Sequence, residues 1–231
     1  MPNKLANAGY YKLVSFKIRP LLPNARAKGQ TSFGDYVEMS RVISSWNITE
    51  GITSPFIQGS AVVNDSDSIL STFPLIGEEE CEITYIDFYG DEITQKFFLY
   101  SIEDVKAASG INDRMMTYTI NFCTQQKLFS DQREVKKSFA NTRISDMVKE
   151  IYNTYFVTGN KEVDKPIEIE KTSGEQTLVI PCLRPDAAMQ FLSRRAYSDV
   201  SKSSLYTFFE TREKYYFCTH EYLIRNKADF E

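Results

Sequence analysis

The stretch Met116-Thr-Tyr-Thr-Ile-Asn-Phe-Cys123 has the clearest two-residue period in the chain. Its large apolar side chains, at Met116, Tyr118, Ile120 and Phe122, alternate with smaller or polar ones. Successive side chains of a β-strand point to opposite faces, so this pattern predicts a strand with one apolar face.

The segments before this stretch also have strand patterns. Further strands are predicted at Lys12–Arg19 (with Val14, Phe16 and Ile18 on one face), Arg41–Thr49, Phe56–Val63, Cys81–Phe88 and Thr94–Ile102. The last two flank a turn around Gly90, where glycine supplies the positive φ of a tight hairpin. A long loop is predicted near residues 20–38, which are rich in Pro, Gly and Asn. About six consecutive antiparallel strands predict a barrel or sandwich.

The second half of the sequence has a different character. Apolar steps of three and four predict an amphipathic helix over Asn141–Phe156, with Asn141 or Thr142 as its cap. A second helix is predicted over Arg184–Tyr197, where Pro185 suits the first turn. Two short strands around Thr211–Lys214 predict a C-terminal hairpin.

These patterns together predict an α+β protein of 231 residues in two domains. Residues 1–138 are expected to form an antiparallel β-barrel. Residues 139–231 are expected to form a small α+β domain with two helices and the hairpin.

Charge and composition exclude several classes of protein. The net charge is -4, so no concentrated basic face for gripping nucleic acid is expected. The strongest basic cluster, Arg133–Lys137, is interrupted and is interpreted as a solvated face. The four cysteines form no CxxC pair and are expected to be free thiols in a reducing compartment. No apolar run is long enough to span a membrane as a helix, and no signal peptide is recognised.

The acidic stretch Ala61–Ile83 was the first candidate for a chemical site. Asp65 and Asp67 alternate as calcium ligands would, but Ile69 occupies the next ligand position and the required glycine is missing. Glutamates 78–80 are adjacent and would alternate between strand faces, so they cannot converge as an acid/base pair. The stretch is therefore interpreted as a solvated connection, and no metal site is predicted.

Nucleophilic catalysis would have to use His220, the single histidine. Cys218 lies two residues earlier, and in a strand the two side chains would share a face. A hydrolase or ligand-binding domain with a cleft near His220, Cys218 and nearby carboxylates therefore remains the alternative. The main expectation is a protein without enzyme activity, with no catalytic or cofactor-binding residue and no cofactor.

Two runs of sequence, taken in order, resemble a known family. The first comprises Ser45–Asp65 and Phe73–Glu80, in which a strand ends in small apolar residues and Asp, before Pro-Leu-Ile-Gly-Glu. The second comprises Thr142–Tyr152, Pro185–Ala196 and Leu205–Glu210. They are similar to the first tube domain and the inserted α+β domain of baseplate hub proteins of contractile-tailed bacteriophages, a layout shared with type VI secretion spike hubs. The resemblance covers about residues 10–225.

The resemblance implies a structural subunit of a tail baseplate hub that links the tail tube to the central spike. The implied partners are tail-tube or tube-initiator proteins, the spike protein and other baseplate subunits. A homo-oligomer, a trimer or a ring, would form part of a conduit through which genomic DNA passes without specific binding. The implied location is the virion tail, assembled in the host cytoplasm.

The resemblance also implies that residues 64–80 connect two barrel strands, with Asp65 and Asp67 solvated and with Pro74 and Gly77 setting the turn. Family members usually continue into a second tube domain, whereas this sequence stops at Glu231. A fragment, a separate subunit that completes the ring, and a different assembly all remain open.

Overall fold

The computed structural model describes residues 11–19, 36–66, 69–73, 75–77, 79–87, 89–107, 115–161 and 163–225. The chain divides into two compact units. The first contains residues 1–48 and 58–124, and the second contains residues 49–57 and 125–231. Most of the loop predicted near 20–38 lies outside the described residues, as do Asp67 and Pro74.

The described part of the first unit is dominated by antiparallel strands. They are β1 Lys12–Arg19, β2 Val37–Glu38, β3 Ile43–Thr49, β4 Gln58–Asp65, β5 Glu80–Ile86, β6 Glu92–Ala107 and β7 Met116–Cys123, with the short helix α1 Ile69–Thr72 between β4 and β5. These strands form one sheet in the order β2-β1-β5-β6-β7-β4-β3. The predicted strands are therefore present, and the Gly90 hairpin joins β5 to β6 with φ +92° at the glycine.

The sheet curls into a half-barrel around an aromatic core. Trp46 of β3 lies against Tyr85 of β5, with ring centroids 5.5 Å apart, although three strands separate β3 from β5 in the sheet order. Phe16 of β1 and Phe122 of β7 meet in the same way at 5.8 Å. Such contacts between strands that are not neighbours require a curved sheet. The prediction of an α+β fold with an N-terminal barrel-like sheet is therefore confirmed, with a half-barrel in place of a closed barrel.

One side chain of β1 differs from its predicted position. Val14 is 42% exposed, whereas Phe16 and Ile18 are fully buried. The register against β5 shifts between Leu13 and Ser15, so an extra residue is inserted at Val14. A bulge of this kind interrupts the alternation of faces, which is why the prediction that Val14 shares a face with Phe16 and Ile18 was wrong.

The second unit combines helices with two small sheets. Its elements are α2 Gln125–Gln132, β8 Val135–Thr142, α3 Ile144–Tyr155, β9 Ile167–Ile169, β10 Gln176–Leu183, α4 Pro185–Ser193, β11 Tyr206–Glu210, β12 Tyr215–Thr219 and α5 His220–Arg225. In the described residues β8 pairs with β10, and β12 lies between β11 and β9. The predicted C-terminal hairpin is thus formed by β11 and β12. The predicted boundary between the two domains, at residues 138/139, falls inside β8.

The first predicted helix forms, but its predicted cap does not. α3 begins at Ile144, and both Asn141 and Thr142 lie in β8 instead. The backbone N–H of Ser145 donates to Thr172 Oγ1 at 2.9 Å, so the cap comes from a residue 27 positions later. A distant hydroxyl satisfies the helix terminus as well as a local one would.

Residues 49–57, which connect β3 to β4, belong to the second unit. Phe56 packs in the core of that unit, with its ring centroid 6.1 Å from that of Phe156. The N–H of Ile57 donates to the buried carboxylate of Glu210 at 2.9 Å, and Lys165 pairs with the same carboxylate at 2.7 Å. These anchors explain why β4 begins at Gln58 rather than at the predicted Phe56.

Within the described residues, no helix is long and apolar enough to cross a membrane.

Candidate functional site

Cys218 and His220 do not form a nucleophilic pair. Cys218 lies fully buried in β12, whereas His220 is the first residue of helix α5, so a shared strand face does not exist. Burial, followed by the charges of Glu170 and Glu168, raises the pKa of the Cys218 thiol to about 12. A thiol with that pKa is protonated at neutral pH and is a poor nucleophile. Cys81 and Cys123 are buried too, and Cys182 is exposed.

Glu170, whose charge acts on the Cys218 thiol, is held by structural hydrogen bonds. Its Oε1 accepts from the hydroxyls of Ser198 and Ser201 at 2.5 and 2.6 Å. Its Oε2 accepts from the N–H and the hydroxyl of Thr219, both at 2.8 Å. Burial opposes ionisation, but these donors outweigh it and lower the pKa of Glu170. A carboxylate with four donors joins three segments of the unit and is not poised to act as a base.

Replacing Glu170 with glutamine is expected to lower the free energy of unfolding at pH 7 by about 2 kcal/mol. The side-chain NH₂ group of glutamine would face hydrogen-bond donors at a position where the carboxylate has an oxygen that accepts from them. The folded-state pKa lies below the ordinary value of 4.5. The contribution of the carboxylate is therefore present above that pH and is lost as the pH falls through the folded-state pKa. Urea titrations of both proteins at several pH values measure this difference.

The matched control is the change of the exposed Glu175 to glutamine, which should have little effect at any pH. A destabilisation by Glu170→Gln that stays constant down to strongly acidic pH would contradict the assignment.

The carboxylates of the acidic stretch are structural as well, although not in the expected way. Asp65 is fully buried, and its carboxylate accepts hydrogen bonds from the N–H groups of Ile69 and Leu70 at the start of α1. The expectation that Asp65 is solvated was therefore wrong. Glu79 accepts from the N–H groups of Ile76 and Gly77 at 2.6 and 2.9 Å. Because their oxygens bind backbone donors, neither carboxylate is arranged as a metal ligand.

Gly77 adopts a φ of +91°, as the predicted turn requires, and residues 66–79 connect β4 to β5. In the part of the chain that the structure describes, no cluster of three or more His, Cys, Asp or Glu side chains could hold a metal ion.

Two of the three basic side chains of the cluster Arg133–Lys137 pair with carboxylates. Lys136 pairs with Glu134, and Lys137 pairs with Glu150. Arg133 donates to the carbonyl of Tyr155 at 3.1 Å. Exposed ion pairs of this type contribute little to stability and leave little net charge for a phosphate backbone.

The outer face of the half-barrel carries an uncharged polar row across four strands. Asn47 of β3 donates to Ser60 of β4 at 2.8 Å, Ser60 lies opposite Asn121 of β7, and Asn121 donates to Ser101 of β6 at 2.9 Å. The neighbouring outward positions on β4 and β7 are Val62, Asn64, Thr117 and Thr119. None of these eight side chains is charged, whereas Glu103 and Lys106 of β6 lie opposite Thr119 and Thr117. We call the eight uncharged residues the uncharged face.

The second unit exposes three large apolar side chains in the part of the chain between residues 200 and 225. Val200, Leu205 and Ile224 are all well exposed to solvent. Arg225, next to Ile224, donates to the carbonyl of Val200 at 3.0 Å, and this contact brings α5 against the turn that contains Val200. Exposed apolar side chains can contribute to surfaces that bind other proteins.

No protein-family model matches the chain, and no curated protein matches it in sequence. Solved structures do match it in three dimensions. One is the 43 kDa tail protein of prophage MuSo2 from Shewanella oneidensis, with a TM-score of 0.51 and 10% identity over 88% of this chain and 54% of that protein. The chain shares the fold of the matched part of this tail protein.

A second match is a chain of the half-lidded PdpA–VgrG complex of Francisella. Its TM-score is 0.50, with 13% identity over 97% of this chain and 34% of the matched chain. The resemblance to phage tail and spike-hub proteins that the sequence indicated is thus confirmed at the level of the fold. The chain spans about half of the tail protein and about a third of the Francisella chain.

Proposed function

We propose that this protein is a non-enzymatic structural subunit of the baseplate hub of a contractile tail. In this role its half-barrel joins the tail tube and its second unit binds the spike or other baseplate subunits. It would act in the virion, after assembly in the host cytoplasm as part of a homo-oligomer. The fold shared with a prophage tail protein supports this role, and so do the structural hydrogen bonds of Glu170 and Asp65.

The observation that carries the proposal is the surface of the half-barrel. Its uncharged face is bounded by the edge strand β3, and strand β3 itself contains no charged residue. Proteins that act as monomers usually protect such edges with lysine, proline or a covering segment. A conduit subunit also needs a surface that does not retain DNA, and the eight side chains of the uncharged face offer no positive charge to a phosphate backbone.

Sedimentation and binding measurements on the purified protein test this function. We expect a trimer or ring, or association with tail-tube or spike proteins, together with no salt-dependent binding to DNA. A protein that stays monomeric at high concentration and binds neither tube nor spike proteins would contradict the proposal. Steep salt-dependent DNA binding would instead favour a nucleic-acid-binding barrel.

The alternative of a hydrolase makes a different prediction for His220. A turnover that is lost in the His220→Ala variant would support that alternative, but the buried Cys218 thiol argues against it.

A further inference from the structure

Residues 49–57, here called the strap, are anchored in the second unit at both ends. At the end next to β3, the carboxylate of Glu50 accepts a hydrogen bond from the backbone N–H of Arg212, in the turn between β11 and β12. At the end next to β4, the N–H of Ile57 donates to the carboxylate of Glu210 at 2.9 Å. The Phe56 side chain is buried in the core. Two carboxylates, one from the strap and one from the hairpin, therefore join the strap to the β11–β12 hairpin.

Lys165 fixes the hairpin side of this attachment. Its Nζ lies 2.7 Å from Oε1 of Glu210 and donates to the carbonyl of Thr211 at 2.9 Å. The backbone of Lys165 is held as well, because the hydroxyl of Tyr152 donates to its carbonyl at 2.5 Å. The groups that bind the strap are thus positioned by the second unit itself.

Strand β3, by contrast, has few contacts that would hold it in place without the strap. None of its seven residues is buried, and in the described residues it pairs with β4 alone. Trp46 packs against Tyr85 with ring centroids 5.5 Å apart, and Asn47 donates to Ser60 at 2.8 Å. Exposed hydrogen bonds of this kind contribute little net stability, because water replaces them when they open.

Strand β4 is held much more firmly than β3. On its other side it pairs with β7 over all eight residues, Gln58–Asp65. Its inward side chains Ala61, Val63 and Asp65 are fully buried. Local opening is least costly where few apolar side chains are buried and backbone hydrogen bonds are exposed. β3 is therefore expected to open before β4.

We propose that the strap latches β3: when the strap leaves the β11–β12 hairpin, β3 separates from β4 while β4, β7 and the rest of the half-barrel stay folded. The second unit thereby controls whether the edge of β4 is covered. Separation would uncover the backbone N–H and C=O groups of β4 that now pair with β3, and exposed strand edges pair readily with other chains. The inference goes beyond the proposed function and holds whichever partners the protein binds.

Hydrogen–deuterium exchange read by mass spectrometry tests the latch with two variants, Phe56→Ala and Glu50→Ala. The protected amides of residues 43–49 should exchange about tenfold faster in Phe56→Ala and about threefold faster in Glu50→Ala. Exchange in residues 58–65 and 116–123 should change less than about twofold in both. Protection of residues 144–155, in α3, verifies that the second unit remains folded.

Each variant has a matched control outside the strap. Leu192→Ala removes a fully buried side chain from the same core as Phe56, and Glu175→Ala removes an exposed carboxylate of the second unit. Neither should accelerate exchange in residues 43–49. Because Glu50 is exposed and its change leaves the core intact, Glu50→Ala decides the question if Phe56→Ala does not fold.

Three results would overturn the latch. They are unchanged exchange of residues 43–49 in the folded strap variants, equal acceleration of residues 43–49 and 58–65, and the same acceleration of residues 43–49 in Leu192→Ala.

Discussion

Replacing Phe156 with alanine is expected to lower the free energy of unfolding by about 4 kcal/mol, the largest effect of any single change considered. The side chain is 1% exposed at the centre of the aromatic core of the second unit. Its ring centroid lies 5.4 Å from those of Tyr152 and Phe208 and 6.0 Å from that of Tyr215. Truncation would leave a cavity that these rigid rings cannot fill, and it would remove several aromatic contacts.

Chemical denaturation followed by circular dichroism measures this effect. The matched control is Val157→Ala at the next position, where the side chain is 39% exposed, and it should cost well below 1 kcal/mol. Equal destabilisation by the two changes would contradict the central position assigned to Phe156.

The change of Gly59 to alanine is expected to destabilise the half-barrel by about 3 kcal/mol. A Cβ at Gly59 would lie 2.3 Å from the carbonyl oxygen of Asn47 and 2.5 Å from the ring of Phe122. The first of these neighbours is backbone of β3, and the second is a fully buried ring in the core. Neither can move away without loss of sheet pairing or packing, so the methyl group has no space.

Trp46 is the only tryptophan and lies next to Asn47, so its fluorescence reports on this region during urea unfolding. Gly51→Ala is the control, because a Cβ there would have no neighbour within 4 Å. An unchanged midpoint for Gly59→Ala would show that β3 and β4 are not as closely packed as the structure indicates.

The sequence predicted most of the elements but little of the candidate site. Alternation in Met116–Cys123 and the Gly90 turn are local signals, and both elements form as predicted. By contrast, β8 and β10 carry bulges at Asn141 and Cys182, where φ is positive, so their sequences lack a regular two-residue period and were not predicted as strands.

The row Asn47–Ser60–Asn121–Ser101 was missed because its members come from four separate strands. Short polar side chains at outward positions of β4 and β7 were the only signal that could have indicated it.

The carboxylates show the same limit. In the sequence Asp65 is one of several polar residues in a loop-like stretch, and nothing local separates a buried cap from a solvated side chain. The Asp65 carboxylate is buried because residues 69 and 70 lie against the end of β4, where their N–H groups donate to it. The burial of Glu170 likewise depends on Ser198, Ser201 and Thr219, which lie at least 28 residues away.

From the order of its residues alone, this chain determined which segments form the main strands and helices and, away from bulges, which of their faces are apolar, since side-chain periodicity is a property of neighbours. Only the tertiary structure decided that residues 49–57 join the second unit, that Thr172 caps α3, and that Asp65 is buried. Each of these depends on contacts between residues far apart in the chain. Such contacts follow from the packing of the whole unit, and no local pattern encodes them.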